Sequence, residues 1–357
     1  MIRRLNFNSG IARNVLTLFT GSTLAQAIPL LVSPVLTRLY PVHDFAVLTV
    51  MATLVSFAGV IAAGRYEIAI GLPASDDEAK KVVYLAMGIT SVFSVLLMVF
   101  FIFGGTFVAA SLNAPDATHY LLLVPLAILF YGWYQALTYW NIRKRRYTVI
   151  ASSRVSQSLI NSGVSLLFAF TGIPVNGLVL GHVSGHFAAT AWTWIRMAGR
   201  REIDFRKTDM TRAGLRQLAA KYSDLPKVNG IHALSDMAQT SLVVFIISGM
   251  FGSIATGLYG LTMRILQAPL NVIGSSFTAV FYKEVSEKIN RQERISKLLR
   301  TTMGTLAMIS FPVFLVLFIA GPALFSFVFG EQWREAGVYA RIMCPWLFLN
   351  FIASPVS

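Results

Sequence analysis

The chain has 357 residues, of which 55% are hydrophobic and only 13% charged, with a formal net charge of +14 and one cysteine. A soluble domain carries charge on about a quarter of its residues, so an ordinary water-soluble fold is excluded. The lone Cys344 excludes an intrachain disulfide and gives no sign of redox chemistry. A basic excess in a soluble chain would suggest nucleic acid. Here the apolar residues form long blocks and the basic residues fall between them, so nucleic acid is not an expected partner.

A helix needs about 20 apolar residues to cross a bilayer. Ten segments qualify: 14–36, 45–70, 82–107, 120–140, 149–170, 175–197, 228–251, 255–282, 298–318 and 338–357. The first follows Arg3, Arg4 and Arg13, as a signal peptide would. Its length, its Gln26, Pro29 and Pro34, and the lack of a small-residue cleavage site make it a membrane helix instead. Pro29, Pro34 and, in the eighth segment, Pro269 mark helices that can bend.

The second segment ends on "AAGRYEIAIGLP", which puts Arg65 and Glu67 at the close of an apolar run. Two residues apart on a helix, their side chains diverge, so each is expected to reach water, a lipid phosphate or another helix. An interface anchor is the alternative. The fourth segment closes on "YGWYQALTYWNIRKRRY", which reads as an aromatic belt followed by topological charge, or as a surface for sugar and lipid phosphate.

Arg154, Gln157, Ser158, Asn161 and Ser165 form a polar stripe in the fifth segment, of the kind that joins membrane helices. Arg154 stands apart, because it can snorkel or meet a phosphate. In "GHVSGH", His182 and His186 lie one turn apart with no third ligand at helical spacing, so no metal site is expected. Gly181 and Gly185 make it a close-packing motif.

The longest polar stretch, between the sixth and seventh segments, repeats Leu215, Leu218 and Ala219 among basic residues. That pattern fits an amphipathic helix on the membrane surface. In the seventh segment Asn229, His232, Asp236, Gln239 and Thr240 share one helical face. A carboxylate in mid-membrane faces a cavity or a partner. Asp236 is therefore the candidate for ion coupling, with Arg264 of the eighth segment as the expected partner. A pair that only locks two helices is the competing reading.

With the N-terminus in the cytoplasm and sides alternating, all but four of the thirty basic residues fall on the inner side. Arg38, Arg334 and Arg341 lie outside and Arg264 lies within a span. This is the positive-inside pattern. The two halves echo each other: "STLAQA" matches "SDMAQT", pairing Gln26 with Gln239, and "GTFVAASLNAPDATHYLLLVP" parallels "GPALFSFVFGEQWREAGVYARIMCP". Parallel repeats place substrate between lobes near the midplane. The expected organisation is a six-helix N-terminal lobe over 1–197, a basic linker over 198–222 and a four-helix C-terminal lobe over 223–357. On that count the second lobe is incomplete. No phosphate-binding Gly-Lys-Ser loop and no catalytic triad is present, so an enzyme is not expected.

"GRYEIAIGLPASDDEAKK", "YWNIRKRRYTVIASSRVSQS", "GLYGLTMRILQAPLNVIGSSF" and "FGEQWREAGVYARIMCPWLFLNFIASPVS" resemble Wzx-type polysaccharide flippases of the multidrug/oligosaccharidyl-lipid/polysaccharide (MOP) exporter superfamily. The resemblance implies an all-α, MOP/MATE-like polytopic bundle of two pseudo-symmetric lobes in the bacterial inner membrane. It implies alternating-access export of undecaprenyl-pyrophosphate-linked oligosaccharide for O-antigen, capsule or exopolysaccharide synthesis. Membrane lipids, a polysaccharide polymerase and chain-length machinery would be its partners. Arg65, Glu67, Arg154 and Arg264, then Lys227, Lys283, Gln26 and Gln239, become the candidate cavity residues. No cofactor is implied, and coupling to protons or sodium stays open. A drug/cation antiporter of the same superfamily is the nearest alternative, and a membrane glycan polymerase or ligase is the alternative of another class.

Overall fold

The computed structural model describes residues 10–199, 211–290 and 296–353. Every regular element among them is helical: α1 (Gly10–Leu39), α2 (Val42–Ala62), α3 (Tyr66–Ala69), α4 (Asp76–Ser111), α5 (Thr118–Leu121), α6 (Val124–Arg143), α7 (Tyr147–Thr171), α8 (Gly177–Ala198), α9 (Arg212–Lys221), α10 (Gly230–Asn290), α11 (Ser296–Phe329) and α12 (Arg334–Ala353). Local chemistry sets several ends. The Ser75 hydroxyl accepts from the Glu78 N–H at 3.2 Å, and Asp76, Asp77 and Glu78 follow where the helix dipole favours acids. The Asn176 side chain accepts from two N–H groups of α8, and α7 stops at Gly172 with φ 66°.

Among the described residues six helices are long and apolar enough to cross a membrane, or seven if the pair Pro115–Leu121 and Val124–Arg143, bent by 50°, forms one span. The chain is a multi-pass membrane protein. Over the described residues the ten expected segments fall on helices, with two corrections. The second segment ends as a span at Ala62, eight residues early, because Gly64 and Arg65 turn left-handed and break it. Segments 228–251 and 255–282 share α10, interrupted only at Gly252 (φ 77°, ψ −170°). Helices α7 and α8 have spanning length but fall outside that set of six, and each carries a polar face, Gln157 and Asn161 on one and His182 and His186 on the other.

The chain divides into two compact units. The first comprises Met1–Pro29 and His43–Thr256. Its interior holds one apolar cluster around Met51, Leu121, Ile128 and Val179, and a second around Ile70, Val82, Leu137, Trp140 and Met197. Helix α9 lays Leu215, Leu218 and Ala219 against the second cluster. Its apolar residues thus pack on protein. A hydrogen bond from Tyr66 Oη to the Ala219 carbonyl at 3.0 Å holds it there.

The second unit comprises Leu30–Val42 and Gly257–Ser357. Helix burial in lipid gains little from hydrophobicity, so close backbone approach and interhelical hydrogen bonds must do the holding. Both are present. Gly321 and Gly337 let α11 and α12 touch: a Cβ on Gly321 would sit 2.8 Å from the Gly337 carbonyl oxygen. Thr262 Oγ1 donates to the Ala336 carbonyl at 3.0 Å, and Trp333 Nε1 to the Thr37 carbonyl at 2.9 Å.

The second sequence echo has a structural counterpart. Helix α4 is followed by a 3-10 turn at Pro115–Ala117, and α11 by one at Glu331–Trp333. Each turn is preceded by a left-handed residue, Asn113 (φ 49°) in one case and Gly330 (φ 108°) in the other.

Candidate functional site

Between α2 and α4 the chain makes a tight turn. Gly64 and Arg65 adopt φ 59° and 60°, and the turn is closed by bonds from Gly64 N to the Ile61 carbonyl and from Tyr66 N to the Ala63 carbonyl. Left-handed backbone is natural for glycine and uncommon for arginine. Because Arg65 precedes α3 in this conformation, its side chain and that of Glu67 do not diverge as they would on a regular helix. Arg65 Nη1 lies 3.5 Å from Glu67 Oε1, which corrects the expectation of two independent groups.

The pair is unequal. Glu67 is 4% exposed, whereas the Arg65 side chain keeps 23% of its surface. Arg65 Nε and Glu67 Oε2 are buried without hydrogen-bond partners among the described residues. Burial pushes the Glu67 carboxyl above its ordinary value of 4.5, with a backbone hydrogen bond and the Arg65 charge opposing that shift.

Behind this pair lies a file of polar rings. Tyr131 of α6 is seated where Gly59 has no side chain: a Cβ there would meet the ring at 2.8 Å. Its hydroxyl accepts from Gln135 Nε2 at 3.3 Å, and it lies within electrostatic reach of both Glu67 and Arg65. The Tyr131 ring meets His186 edge-on at 5.5 Å, His186 meets His182 at 4.7 Å, and His186 Nδ1 shares a hydrogen bond with Gln157 at 3.2 Å. The packing role of Gly181 and Gly185 is real, since a Cβ at Gly181 would fall 2.5 Å from the Asn161 carbonyl oxygen and one at Gly185 3.0 Å from that of Gln157. Sequence reasoning missed that the same helix face sends His186 toward Tyr131. The local signal for it is Gly59, ahead of the break and spaced to admit a ring.

On its other side Arg65 opens onto a cleft of about 210 Å³ lined by Ile61, Gly64, Arg65, Pro226, Gly230, Ile231 and Leu234. All the walls but one are apolar or glycine, and the exception is a guanidinium. The Cβ position of Gly230 is 3.9 Å from Arg65 Cγ, an ordinary contact distance.

The remaining candidates are distributed. Arg154 is exposed on α7 and donates to Ser22 Oγ of α1 at 2.5 Å, while Ser158 donates to the Ala25 carbonyl at 2.5 Å. Asn229, His232, Asp236, Gln239 and Thr240 form an exposed face, as their spacing requires. Gln26 is half-buried on α1, and Lys227 is exposed in the π-helical turn Leu225–Asn229. Arg264 is half-buried in the second unit. Asp236 belongs to the first unit. The side chain of Lys283 lies outside the described residues.

The basic run 143–146 has a structural use. Arg143 donates to the Pro73 carbonyl at 2.8 Å and to Asp76 Oδ1 at 3.1 Å, and Lys144 pairs with the other oxygen of Asp76. These contacts fasten the loop that follows α3, so half of the run is consumed in holding the segment that carries Arg65 and Glu67.

The chain is similar to several solved transporters. An inward-facing multidrug resistance MATE family transporter of the MOP superfamily superposes with a TM-score of 0.64 at 14% identity, over 95% of this chain and 80% of that one. The MATE multidrug transporter DinF-BH gives 0.63 at 18% identity, over 99% and 84%. A MOP superfamily transporter from Pyrococcus furiosus, described as having a binding pocket of reverse polarity, gives 0.58 at 12% identity, over 96% and 82%. At these identities the likeness shows the fold, which is that of the MOP transporters. A search among curated proteins returned no significant match. The model of the family described as "polysaccharide biosynthesis protein" matches residues 35–337, and the chain belongs to that family.

Proposed function

We propose that this protein is a flippase that carries undecaprenyl-pyrophosphate-linked oligosaccharide across the bacterial inner membrane by alternating access, for O-antigen, capsule or exopolysaccharide synthesis. The observation that carries the reading is the Arg65 cleft: apolar walls beside one partly exposed guanidinium whose Nε is without an acceptor among the described residues. A prenyl pyrophosphate has the matching chemistry, a hydrocarbon chain joined to an anion that arginine recognises in bidentate fashion. Family membership agrees with a glycan cargo. The concentration of basic residues on one side supports an N-terminus in the cytoplasm, with the cleft facing the side on which lipid-linked glycans are built.

Arg264 serves as the second cavity cation, and Asp236 as the ion-coupling carboxylate. The fold and family favour transport over enzyme chemistry. Arg65→Ala and Arg264→Ala should each abolish surface polysaccharide while membrane insertion stays normal, and full polysaccharide in both variants would sink the reading. The second reading, a drug/cation antiporter, draws on the exposed Asp236 face and the multidrug neighbours. Drug efflux lost in Asp236→Asn, with polysaccharide unchanged in the arginine variants, would favour it.

A further inference from the structure

We propose that the π-helical turn Leu225–Asn229, which lends Pro226 to the Arg65 cleft, is a movable wall carried by α9, itself positioned by Tyr66 and Glu78. This rests on the reading of that cleft as the entry for an anionic lipid.

Three contacts tie the wall to the first unit. The Tyr66 hydroxyl donates to the Ala219 carbonyl at 3.0 Å. A single oxygen, Glu78 Oε1, accepts from Lys221 Nζ at 2.6 Å and from Tyr222 Oη at 3.2 Å. Leu215, Leu218 and Leu225 rest on the apolar cluster that includes Ala63 and Tyr66.

The consequence lies in the order of these residues along the chain. Tyr66 follows Arg65, so the tie to α9 and the cleft cation are one residue apart at the same left-handed turn. Leu225, seated on the cluster, is followed by Pro226, which lines the cleft. Proline has no N–H to give, and a π-turn already departs from the regular helical ladder, so this is the compliant join between a clamped helix and α10. The side-chain ties are also ones that can open. Lys221 keeps 55% of its side-chain surface and Glu78 28%, and exposed ion pairs hold only weakly. An α9 that lifts would carry Pro226 away from Arg65 and widen the cleft, and an α9 that seats would close it.

The test needs no substrate. In a Cys344→Ser background, Leu234→Cys places one thiol in the cleft wall, and its maleimide labelling rate is followed in membranes. Glu78→Lys should raise the rate roughly threefold, the range an exposed ion pair supplies. Combining it with Lys221→Glu should restore the parent rate. Tyr66→Phe, which deletes one hydroxyl, should raise the rate about twofold and decides alone if Glu78→Lys does not reach the membrane.

In a parallel series that retains Cys344, buried in α12, labelling of that native thiol should not change. Unchanged cleft labelling in Tyr66→Phe and Glu78→Lys, or no restoration by the charge swap, would overturn the proposal. So would a matching rise at Cys344, because the loosening would then be global. Labelling is read without any cargo, so a failure here and a failure of the flippase reading remain distinguishable.

Discussion

The two units solve the same problem with different chemistry. In the first, buried or half-buried polar side chains meet other side chains, as Arg65 with Glu67, Gln135 with Tyr131 and Gln157 with His186, alongside bonds to carbonyls such as that of Tyr66 to Ala219. In the second, the bonds between helices described here run to backbone carbonyls, as with Thr262 on Ala336, Trp333 on Thr37 and Arg341 on Ile319, and the Arg334–Glu331 ion pair is exposed. A carbonyl cannot change its charge, so a bond to one does not respond to a proton or an ion. A carboxylate, a guanidinium and two imidazoles can exchange partners or protons. The repeated helix–turn–helix architecture is thus shared between halves, while the responsive chemistry described here is concentrated in one.

The largest expected effect tests the backbone approach of the second unit. Gly337→Leu would drive a Cβ to 2.5 Å from Pro322 Cα, and should cost about 3 kcal/mol, the upper range for overpacking. A thermal melt in detergent would show it as a lower midpoint, and an unchanged midpoint would mean that α11 and α12 do not depend on this contact. Next, Arg143→Ala should remove the bonds to Pro73 and Asp76 and lose about 2 kcal/mol, since hydrogen bonds to charged groups are the stronger class. The same melt reads it, and Arg143→Lys should recover only part, lacking the planar fork.

Glu67→Gln sharpens the comparison through pH. Burial holds the Glu67 carboxyl above 4.5, so the native state binds that proton more tightly than the unfolded chain does. The stability this adds is complete below pH 4.5 and is lost as pH rises through the raised native value. The charged and titratable groups that face it are Arg65 and Tyr131. The variant should flatten that segment of the melting-point-against-pH curve, and parallel curves for the two proteins would break the argument. Thr262→Val, which removes one hydroxyl from the Ala336 carbonyl, should cost about 1 kcal/mol and leave transport intact.

Helices were legible in the sequence because a membrane demands long apolar blocks and positive flanks, and both are counted directly from residues. The exposed face of Asn229, His232, Asp236, Gln239 and Thr240 was legible for the same reason, through helical spacing. What escaped depends on backbone conformations that residue type opposes. Nothing in "AGRYE" requires Arg65 to turn left-handed, so the assumption of a continuous helix separated two groups that in fact meet. The use of Arg143 escaped because its acceptors are mostly carbonyls, which every residue owns and no sequence marks. Helix α9 had the composition of a surface helix. Its docking follows from a tyrosine hydroxyl and a carboxylate that are both far away in the chain.

The clamp of Asp76 by Arg143 and Lys144 also bears on how the proposed anionic cargo would be attracted. Together with Lys221 on Glu78 and Arg65 on Glu67, it matches four basic side chains to acids of a single stretch of chain. The long-range field at that end is therefore weaker than its count of basic side chains alone would give. At physiological ionic strength what remains fades over about 8 Å. An anionic headgroup would have to be delivered by diffusion in the plane of the bilayer, and would feel the arginine only on arrival. Its capture rate should then depend on lipid concentration far more than on salt.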